Sequence, residues 1–342
     1  MSDGAELPPA GAPPLLISSS DGLPKLAIEL VGQSAAVVRA RELVRRAAPL
    51  AGGVLLVAEP GIDTDSVARE IHDRSRFADQ PWRAVACAEA DGPALERLLF
   101  GTAPPDDEDL VVVTADSVIA GVRGGTLFLR DAVELSAGLQ ARLARWVRDG
   151  EVRIGRVVVP ATVRLIASVA TTIEEDIRSN RFRHDLYRRL AVSRVDLPPL
   201  RDRSADIPAL ADRLLEDACA EAGVSRRRFT EAAHALLSAL SWPENLAELR
   251  HAVSRAVTAT ETSLIQIEDL LPALQIERAA APFVPSGTLR DARLRFERAY
   301  ISAVLQHHGW QLGEAARTLG IQRPNLYRKA RQLGIPISKQ TA

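Results

Sequence analysis

The stretch VLLVAEPGIDTDSVAREIH, residues 54–72, decides the fold. It opens with four apolar residues, and a short apolar run of this kind favours a buried strand. Glu59-Pro60-Gly61 then ends the strand, and helical spacing of apolar residues runs from Ser66 to Ser75. A buried strand, a tight loop and a helix are the repeating unit of a parallel sheet covered by helices.

The same alternation continues along the chain on both sides of this unit. Apolar or β-branched runs lie at 84–88, 110–120, 126–129, 163–169 and 192–197, and helical spacing lies at 34–48, 93–100, 136–149 and 174–180. Strands that alternate with helices predict an α/β fold, with a parallel sheet covered on both faces.

Composition shifts divide the chain into five segments. A Pro-, Gly-, Ser- and Ala-rich start without periodic apolar spacing predicts a flexible lead. After the α/β pattern the chain reads as helices only, and an Ala/Pro/Gly/Ser stretch then predicts a linker before three last helices. The predicted segments are the lead 1–29, the α/β part 30–205, the helical part 206–276, the linker 277–287 and the C-terminal part 288–342.

Composition also excludes several classes of protein. The chain has 342 residues, 46% hydrophobic and 25% charged, which is typical of soluble globular proteins. It contains no run of about 18 apolar residues, so no membrane span is expected. Cys87 and Cys219 lie far apart without a partner at ligand spacing, which excludes a disulfide framework and a zinc finger. We therefore expect a cytoplasmic protein without a metal site.

Lysine is confined to three positions, Lys25, Lys329 and Lys339. No lysine occurs from Leu26 to Arg328. Any mechanism that needs a lysine in the body of the protein is therefore excluded, including a phosphate-binding loop lysine and a Schiff base.

The C-terminal segment has the plan of a helix-turn-helix. Predicted helices cover 289–308, 312–319 and 323–333, with Gly320-Ile321 as the turn before the last, basic helix. In this plan the second helix of the motif enters the major groove of DNA. From Gly287 to Ala342 ten Lys or Arg residues face three Asp or Glu, the charge expected for phosphate contact.

Side chains of the basic helix divide into two predicted roles. The first residues of a recognition helix reach base edges, and residues further along suit phosphates. The predicted base readers are Gln322, Arg323 and Asn325, and the predicted phosphate contacts are Arg328, Lys329 and Arg331. The alternative is a solvated basic helix in a structural bundle.

The stretch GEAARTLGIQRPNLYRKARQLGI, residues 313–335, resembles the Fis-type helix-turn-helix. It departs from that family at Gln311, where the family usually has Asn, and at Pro324 in the first turn of the last helix, where proline is tolerated. The resemblance implies binding to double-stranded DNA as a homodimer on inverted repeats. It also implies that 289–308 is the dimerising helix.

A second resemblance covers roughly residues 30–275. It is carried in order by LVGQSAAVVRARELVRRAAPL, SVAREIH, LERLLFG, GGTLFL, LQARLARWVRDGEVRIG, RFRHDLYRRL, VDLPPLRDRSADIP and SWPENLAEL. These stretches resemble the AAA+ domain of sigma-54-dependent activators. The resemblance implies an AAA+-type parallel sheet with a helical lid subdomain, followed by the all-α helix-turn-helix domain.

The phosphate-binding loop departs from the family pattern GxxGxGK. Of its glycines only Gly61 is kept, and Thr64 stands where the lysine is expected. Asp63 and Asp65 place negative charge where an anion would bind. At about 4 Å and an effective dielectric constant of 20, each like-charge contact costs roughly 4 kcal/mol before screening.

Three other family positions are also changed. Arg130-Asp131 replaces the Asp-Glu pair that ends the metal-binding strand, Ala170 replaces the sensor I Asn, and Ala247 replaces the sensor II Arg. The sigma-factor loop GAFTGA has no counterpart in 102–123. We therefore expect a pseudo-ATPase with no cofactor, although the resemblance alone allows ATP binding.

Arg183 and Arg189 match the family's trans-acting arginine fingers. They are either structural remnants or fingers offered to a competent neighbour in a mixed oligomer. A separate hypothesis is that Arg130 pairs with Asp63 and Asp65 across the site, against the alternative that these are drifted surface charges.

The predicted function is therefore a sequence-specific DNA-binding transcription regulator with a degenerate AAA+ domain. Two alternatives stay open at this point. One is a divergent activator that still binds and hydrolyses ATP, and the other is a non-catalytic partner of a competent homologue in a mixed or higher oligomer.

Overall fold

The computed structural model describes residues 27–102, 110–272, 310–318 and 322–333, together with Leu274, Ile301, Leu305 and Ile335. The chain forms two compact units, Met1–Leu274 and Gln275–Ala342. In the described ranges, no helix is both long enough and apolar enough to cross a membrane.

Ten strands are present in the described residues of the first unit. They are β1 Val54–Val57, β2 Trp82–Ala86, β3 Val112–Val113, β4 Thr126–Arg130, β5 Glu151–Ile154, β6 Val157–Pro160, β7 Arg164–Val169, β8 Ser193–Asp196, β9 Arg228–Phe229 and β10 Leu264–Ile265.

The α-helices of the described residues complete the element set. They are α1 Ala35–Ala47, α2 Thr64–Asp73, α3 Gly92–Phe100, α4 Val118–Gly121, α5 Ala137–Asp149, α6 Ile173–Arg178, α7 His184–Leu190, α8 Ile207–Glu221, α9 Glu231–Ala239, α10 Asn245–Ala259, α11 Ile267–Leu270, α12 Leu312–Thr318 and α13 Arg323–Gln332. Short 3-10 helices cover Ile28–Leu30, Ala132–Glu134 and Leu200–Asp206.

The main sheet is parallel, with the strand order β2-β4-β7-β1-β8. In its register Val57, the last residue of β1, pairs with Val169 and Asp196. The carboxyl ends of β1 and β7 therefore meet at one edge, and β4 ends beside them at Arg130. This edge receives the residues that follow each strand.

Both faces of the sheet are buried. Leu55 and Val57 of β1 belong to one apolar core, while Val54 and Leu56 belong to the core on the other side. Successive side chains of a strand point to opposite faces, so a continuous apolar run fits a strand covered on both sides. The predicted α/β fold with a covered parallel sheet is confirmed.

The helical lid differs from its prediction in one respect. Helices α8 to α11 pack around their own apolar core, as expected. The prediction of helices only is wrong at Arg228–Phe229 and Leu264–Ile265, which pair as a two-stranded parallel sheet. Two residues are too short a run to show the alternation that identifies a strand from sequence.

The α/β part differs from its prediction in one run and contains one hairpin that the sequence analysis missed. The β-branched run 110–120 contains only the short strand β3, after which Ser117 caps α4 by accepting a hydrogen bond from Ala120 N. The antiparallel hairpin of β5 and β6 has no counterpart in the predicted elements. Its valines at 157 and 158 are exposed, so burial did not produce a recognisable pattern.

The lead predicted for residues 1–29 ends earlier than expected. Ala27 is buried and residues 28–30 form a 3-10 helix, with Leu30 in the core and Glu29 also buried. Apolar residues at 27, 28 and 30 drive this burial. The rest of the lead, residues 1–26, lies outside the described residues, as does the predicted linker 277–287.

The second unit contains the two helices expected for the helix-turn-helix. Ala315 and Ala316 of α12 and Leu326 and Ala330 of α13 are buried in one small core. Pro324 lies in the first turn of α13, where its missing N–H would have no helical partner. The turn residues 319–321 and the predicted helix 289–308, apart from Ile301 and Leu305, lie outside the described residues.

Candidate functional site

A cavity of about 940 Å³ opens at the carboxyl edge of the main sheet, between β1, β4, β7 and the lid helix α10. All eight residues predicted for the nucleotide site line it. They are Gly61, Asp63, Thr64, Asp65, Arg130, Asp131, Ala170 and Ala247. The structure therefore brings residues from four separate segments of the sequence to one cavity.

Besides the apolar Leu246, the lid contributes three polar lining residues that the sequence analysis missed, Arg250, His251 and Ser254. They follow Ala247 on α10 at helical spacings of three, four and seven residues, which places all four on one helix face. That spacing was the available signal for them.

Backbone N–H groups of the loop are already bonded within the chain. Asp63 N donates to Oε1 of Glu29 at 2.8 Å, and Thr64 N donates to the Ile62 carbonyl at 3.0 Å. Ser66 N donates to Oδ1 of Asp63 at 3.1 Å, so Asp63 caps α2. In a phosphate-binding loop such N–H groups surround the anion. Here carboxylates of the protein occupy two of them.

Glu29 binds the loop from a buried position. Glu29 is 2% exposed. The side chain of Arg203, which is also buried, donates to Oε2 of Glu29 at 3.2 Å and to the Glu29 carbonyl at 2.7 Å. Burial raises the pKa of the Glu29 carboxyl to about 7, against the opposing effects of the Asp63 N–H and of Arg203. An acid between Ile28 and Leu30, in an apolar segment, was the signal that could have identified it.

Arg130 lies at the end of β4, where the family resemblance places a metal-binding carboxylate. Its Nη1 donates to Oδ2 of Asp65 at 3.3 Å, and its Nη2 donates to Glu89. The guanidinium therefore joins β4 to the first turn of α2 and to the segment that follows β2. Burial raises the pKa of Asp65, although the charge of Arg130 opposes the shift.

Asp131 follows Arg130 in the left-handed backbone region, with φ of +57°. Its N–H donates to Oγ of Ser168 at 3.0 Å. This hydrogen bond ties the end of β4 to β7 at the cavity.

Asp63 does not share Arg130 in the way the sequence suggested. It pairs instead with Arg250 of the lid, with 3.7 Å between Oδ2 and Nη2. The predicted ion pair across the site is thus found for Asp65, while the second aspartate is matched by a residue that sequence reasoning missed. The sequence could place Arg130 near the loop because the ends of parallel strands meet at one edge of the sheet. It could not place Arg250 there, because the position of the lid helix depends on the tertiary fold.

Direct contacts also join the loop to the lid. Ala247 N donates to the Gly61 carbonyl at 2.9 Å, and Asn245 Nδ2 donates to the Pro60 carbonyl at 2.9 Å. Glu59 and Arg201 form an ion pair with 2.6 Å between Oε2 and Nη1. We call these contacts the loop–lid seam.

The two arginine-finger candidates lie on or beside α7. Arg183 precedes the helix and pairs with Asp185 through two hydrogen bonds of 3.0 and 2.8 Å. Its side chain is 44% exposed, whereas Arg189 is half-buried in the last turn. In the described part of the chain, neither residue belongs to the cavity lining.

Most of the predicted DNA-contacting side chains are exposed on the second unit. The exposed ones are Gln322, Arg323, Asn325, Arg328 and Arg331, while Lys329 is half-buried. The opposite side of α13 packs through Leu326 and Ala330. The helix therefore presents a basic outer face.

Three family models match the chain in the order that the fold suggests. A sigma-54 interaction domain matches residues 30–196, an AAA+ ATPase lid domain matches 201–283, and a bacterial regulatory protein domain of the Fis family matches 293–333. The chain is also 31% identical over 319 residues to the nitrogen assimilation regulatory protein NtrX of Azorhizobium caulinodans, which covers 90% of this chain and 69% of that protein. The chain belongs to the family of sigma-54-dependent regulators.

Other sigma-54-dependent regulators are similar over the same region. The nitric oxide reductase transcription regulator NorR2 of Cupriavidus necator is 35% identical over 341 residues, which cover 90% of this chain. The match spans 63% of the length of NorR2, so the chain corresponds to less than two thirds of that relative.

A solved structure of the family has the same fold. NtrX from Brucella abortus in complex with ADP aligns with a TM-score of 0.71 and 31% identity, covering 89% of this chain and 69% of that one. The same protein has also been solved with ATP, with the same TM-score.

Proposed function

We propose that this protein is a sequence-specific DNA-binding transcription regulator whose AAA+-type domain does not hydrolyse ATP. One observation carries the second half of this proposal. The loop N–H groups of Asp63 and Ser66 are bonded to the carboxylates of Glu29 and Asp63. A nucleotide phosphate would have to displace side chains of the protein itself.

The charges around the loop support the same conclusion. Asp63 and Asp65 would lie close to any bound phosphate, and each like-charge contact at about 4 Å costs roughly 4 kcal/mol at an effective dielectric constant of 20. No lysine is available to offset this repulsion, because Thr64 takes the lysine position and is buried. The nearby cations Arg130 and Arg250 are already paired with Asp65 and Asp63.

The DNA-binding half rests on the second unit. A recognition helix needs an exposed polar face on a packed partner helix, and α13 has both. We infer that double-stranded DNA is the partner, and that two copies bind together through the C-terminal domain. The Fis-family match supports the first inference, and the family resemblance supports the second.

ATP turnover by the purified chain tests the enzymatic part. We expect phosphate release at the background level with Mg·ATP, and no change in melting temperature on adding nucleotide. A relative with an intact GxxGxGK loop, assayed in parallel, serves as the positive control. Turnover above background that is lost in an Asp131→Asn variant would contradict the proposal and support a divergent ATPase.

Mapping of bound sites in the genome, followed by footprinting, tests the DNA-binding part. We expect discrete protected sites that contain an inverted repeat, because a two-fold dimer reads two half-sites. Uniform binding without protected sites would contradict sequence-specific recognition.

A second candidate function is that of a non-catalytic partner in a mixed oligomer. It is favoured by Arg183, whose exposed side chain lies at the protein surface although it is paired with Asp185. Mixing this protein with a competent relative should then raise the relative's ATPase rate. Absence of stimulation would exclude this function, and equal stimulation by Arg183→Ala, Arg189→Ala and the control Arg226→Ala would exclude a role for the two arginines in it.

A further inference from the structure

We propose that Arg130, together with the pair Asp63–Arg250, replaces the bound metal–nucleotide as the charged link that holds the cavity walls together. The inference rests on the proposed function and adds how the domain keeps its arrangement without nucleotide. In this arrangement the protein supplies both the cation and the anions.

The position of Arg130 is the first support. Its guanidinium contacts Asp65 of α2 and Glu89, which follows β2, so one cation connects three elements, of which β4 and α2 line the cavity. A metal ion would make the same kind of connection between a nucleotide phosphate and the strand-end carboxylates. The arginine fork can serve two carboxylates at once.

The environment of Asp65 is the second support. Its Oδ1 is buried and has no hydrogen-bond partner among the described residues, while Oδ2 accepts from Arg130. Removal of Arg130 would therefore leave a partly buried carboxylate without its counterion. Breaking such a pair is more costly than breaking an exposed surface pair.

The lid is joined to this network by charge as well as by the seam. Asp63 lies at the N-cap of α2 and faces Arg250 on the cavity side of α10. The hydrogen bond from Ala247 N to the Gly61 carbonyl is a second contact between the same loop and helix. Loop and lid are therefore connected without an intervening ligand.

A double-mutant cycle on the full chain tests the link at Arg130. The proteins are wild type, Arg130→Gln, Asp65→Asn and the double variant, each melted at low and high salt. We expect Arg130→Gln to lower the melting temperature by at least about 2–4 °C, the shift that a loss of 1 kcal/mol gives in a domain of this size. The double variant should melt no lower than Arg130→Gln, and the coupling should shrink at high salt.

Arg148→Gln is the matched control, because Arg148 pairs with Asp149 on the surface and its side chain is 60% exposed. It should leave the melting temperature nearly unchanged. If Arg130→Gln fails to fold, Arg130→Lys keeps the charge and loses the fork, and it should fold with an intermediate melting temperature. Strictly additive effects, or a coupling that salt does not change, would overturn the proposal.

A second cycle tests the lid. Asp63→Asn keeps an N-cap side chain while removing the charge that faces Arg250. We expect Asp63→Asn and Arg250→Gln each to speed hydrogen exchange at the Ala247 N–H, and the double variant to add little. Unchanged exchange in both single variants would remove the lid from the proposed link.

The two proposals fail in different ways. A melting temperature of the wild type that rises with Mg·ATP contradicts the loss of nucleotide function. If the effects of the variants on the melting temperature are additive and ATP does not change the melting temperature of the wild type, only the internal charge link is contradicted.

Discussion

Gly61 illustrates how a single residue sets the contact between loop and lid. Its φ of +79° lies in the left-handed region, and a Cβ built on it would come within 1.9 Å of the Glu244 carbonyl oxygen. Only glycine fits this position, for both backbone and steric reasons. The one glycine kept from the family pattern is therefore required for packing against the lid, whether or not nucleotide binds.

We predict that Gly61→Ala lowers the free energy of unfolding by more than about 1 kcal/mol, because the native backbone and the Glu244 contact both resist a side chain. Gly138→Ala is the matched control, since Gly138 lies in the first turn of α5 with open space around it. Urea unfolding of both variants checks the prediction. Equal stability of the two would contradict it.

Glu29 gives the protein a predicted pH dependence. Its pKa is raised from 4.5 to about 7 by burial, so the folded chain holds a proton that the unfolded chain releases. The resulting stabilisation is fully present below pH 4.5 and is lost as the pH rises through about 7.

We expect the unfolding free energy of the wild type to fall over this range relative to that of Glu29→Gln. Urea titrations at several pH values measure the difference between the two proteins. Glu96→Gln, which changes a surface carboxylate paired with Arg142, should run parallel to the wild type. A difference between wild type and Glu29→Gln that does not change with pH would contradict the assignment.

Helix α2 has negative charge at its N-terminus from its own side chains. A helix N-terminus favours negative charge, which a bound phosphate supplies in a phosphate-binding loop. Here Asp63 at the N-cap and Asp65 in the first turn supply it from the chain. The element is stable for the same electrostatic reason, without a ligand.

Helix α13 is the element that we propose for DNA recognition. We predict that Asn325→Ala costs about 1–3 kcal/mol on the specific site and relaxes preference at one base pair. Arg331→Ala should weaken binding to all DNA sequences alike. It should also reduce by about 1 the slope of the logarithm of the DNA affinity against the logarithm of the salt concentration. Fluorescence anisotropy at several salt concentrations separates the two effects.

Arg226→Ala on the lid surface removes the same charge as Arg331→Ala and is the control for this comparison. It should leave the DNA affinity unchanged. If Asn325→Ala instead lowers the affinity for all DNA sequences equally, Asn325 contacts the DNA backbone and not a base.

The whole molecule consists of two units with separate apolar cores. Three cores lie within residues 27–274, on the two faces of the main sheet and in the lid, and the fourth lies among residues 301–335. A unit with its own apolar core can fold by itself, so we expect residues 27–274 to fold without the second unit, to which we assign the proposed DNA binding.

A fragment of residues 27–274 should therefore fold with the melting temperature of the corresponding transition in the full chain, and it should lose specific DNA binding. Calorimetry and anisotropy of the fragment check both parts. A fragment that aggregates or melts much lower would show that the second unit stabilises the first.

The sequence by itself determined the parallel sheet, the lid, the helix-turn-helix and the grouping of eight residues in one cavity. The sheet and the helix-turn-helix follow from local periodicity. The lid and the grouping of the eight residues follow instead from the resemblance to the AAA+ domain of sigma-54-dependent activators. The short strands β9 and β10 and the hairpin of β5 and β6 were missed, because two residues or an exposed face carry no clear pattern.

The sequence suggested Arg130 as a partner of Asp63 and Asp65, and the tertiary structure assigned Arg130 to Asp65 and Arg250 to Asp63. Arg130 reaches Asp65 across 65 positions of sequence, and Asn245 reaches Pro60 across 185. It also decided that Glu29, expected in a flexible lead, is buried against the Asp63 N–H. Such partners depend on how distant elements pack, and periodicity encodes only the direction of a side chain from its own element.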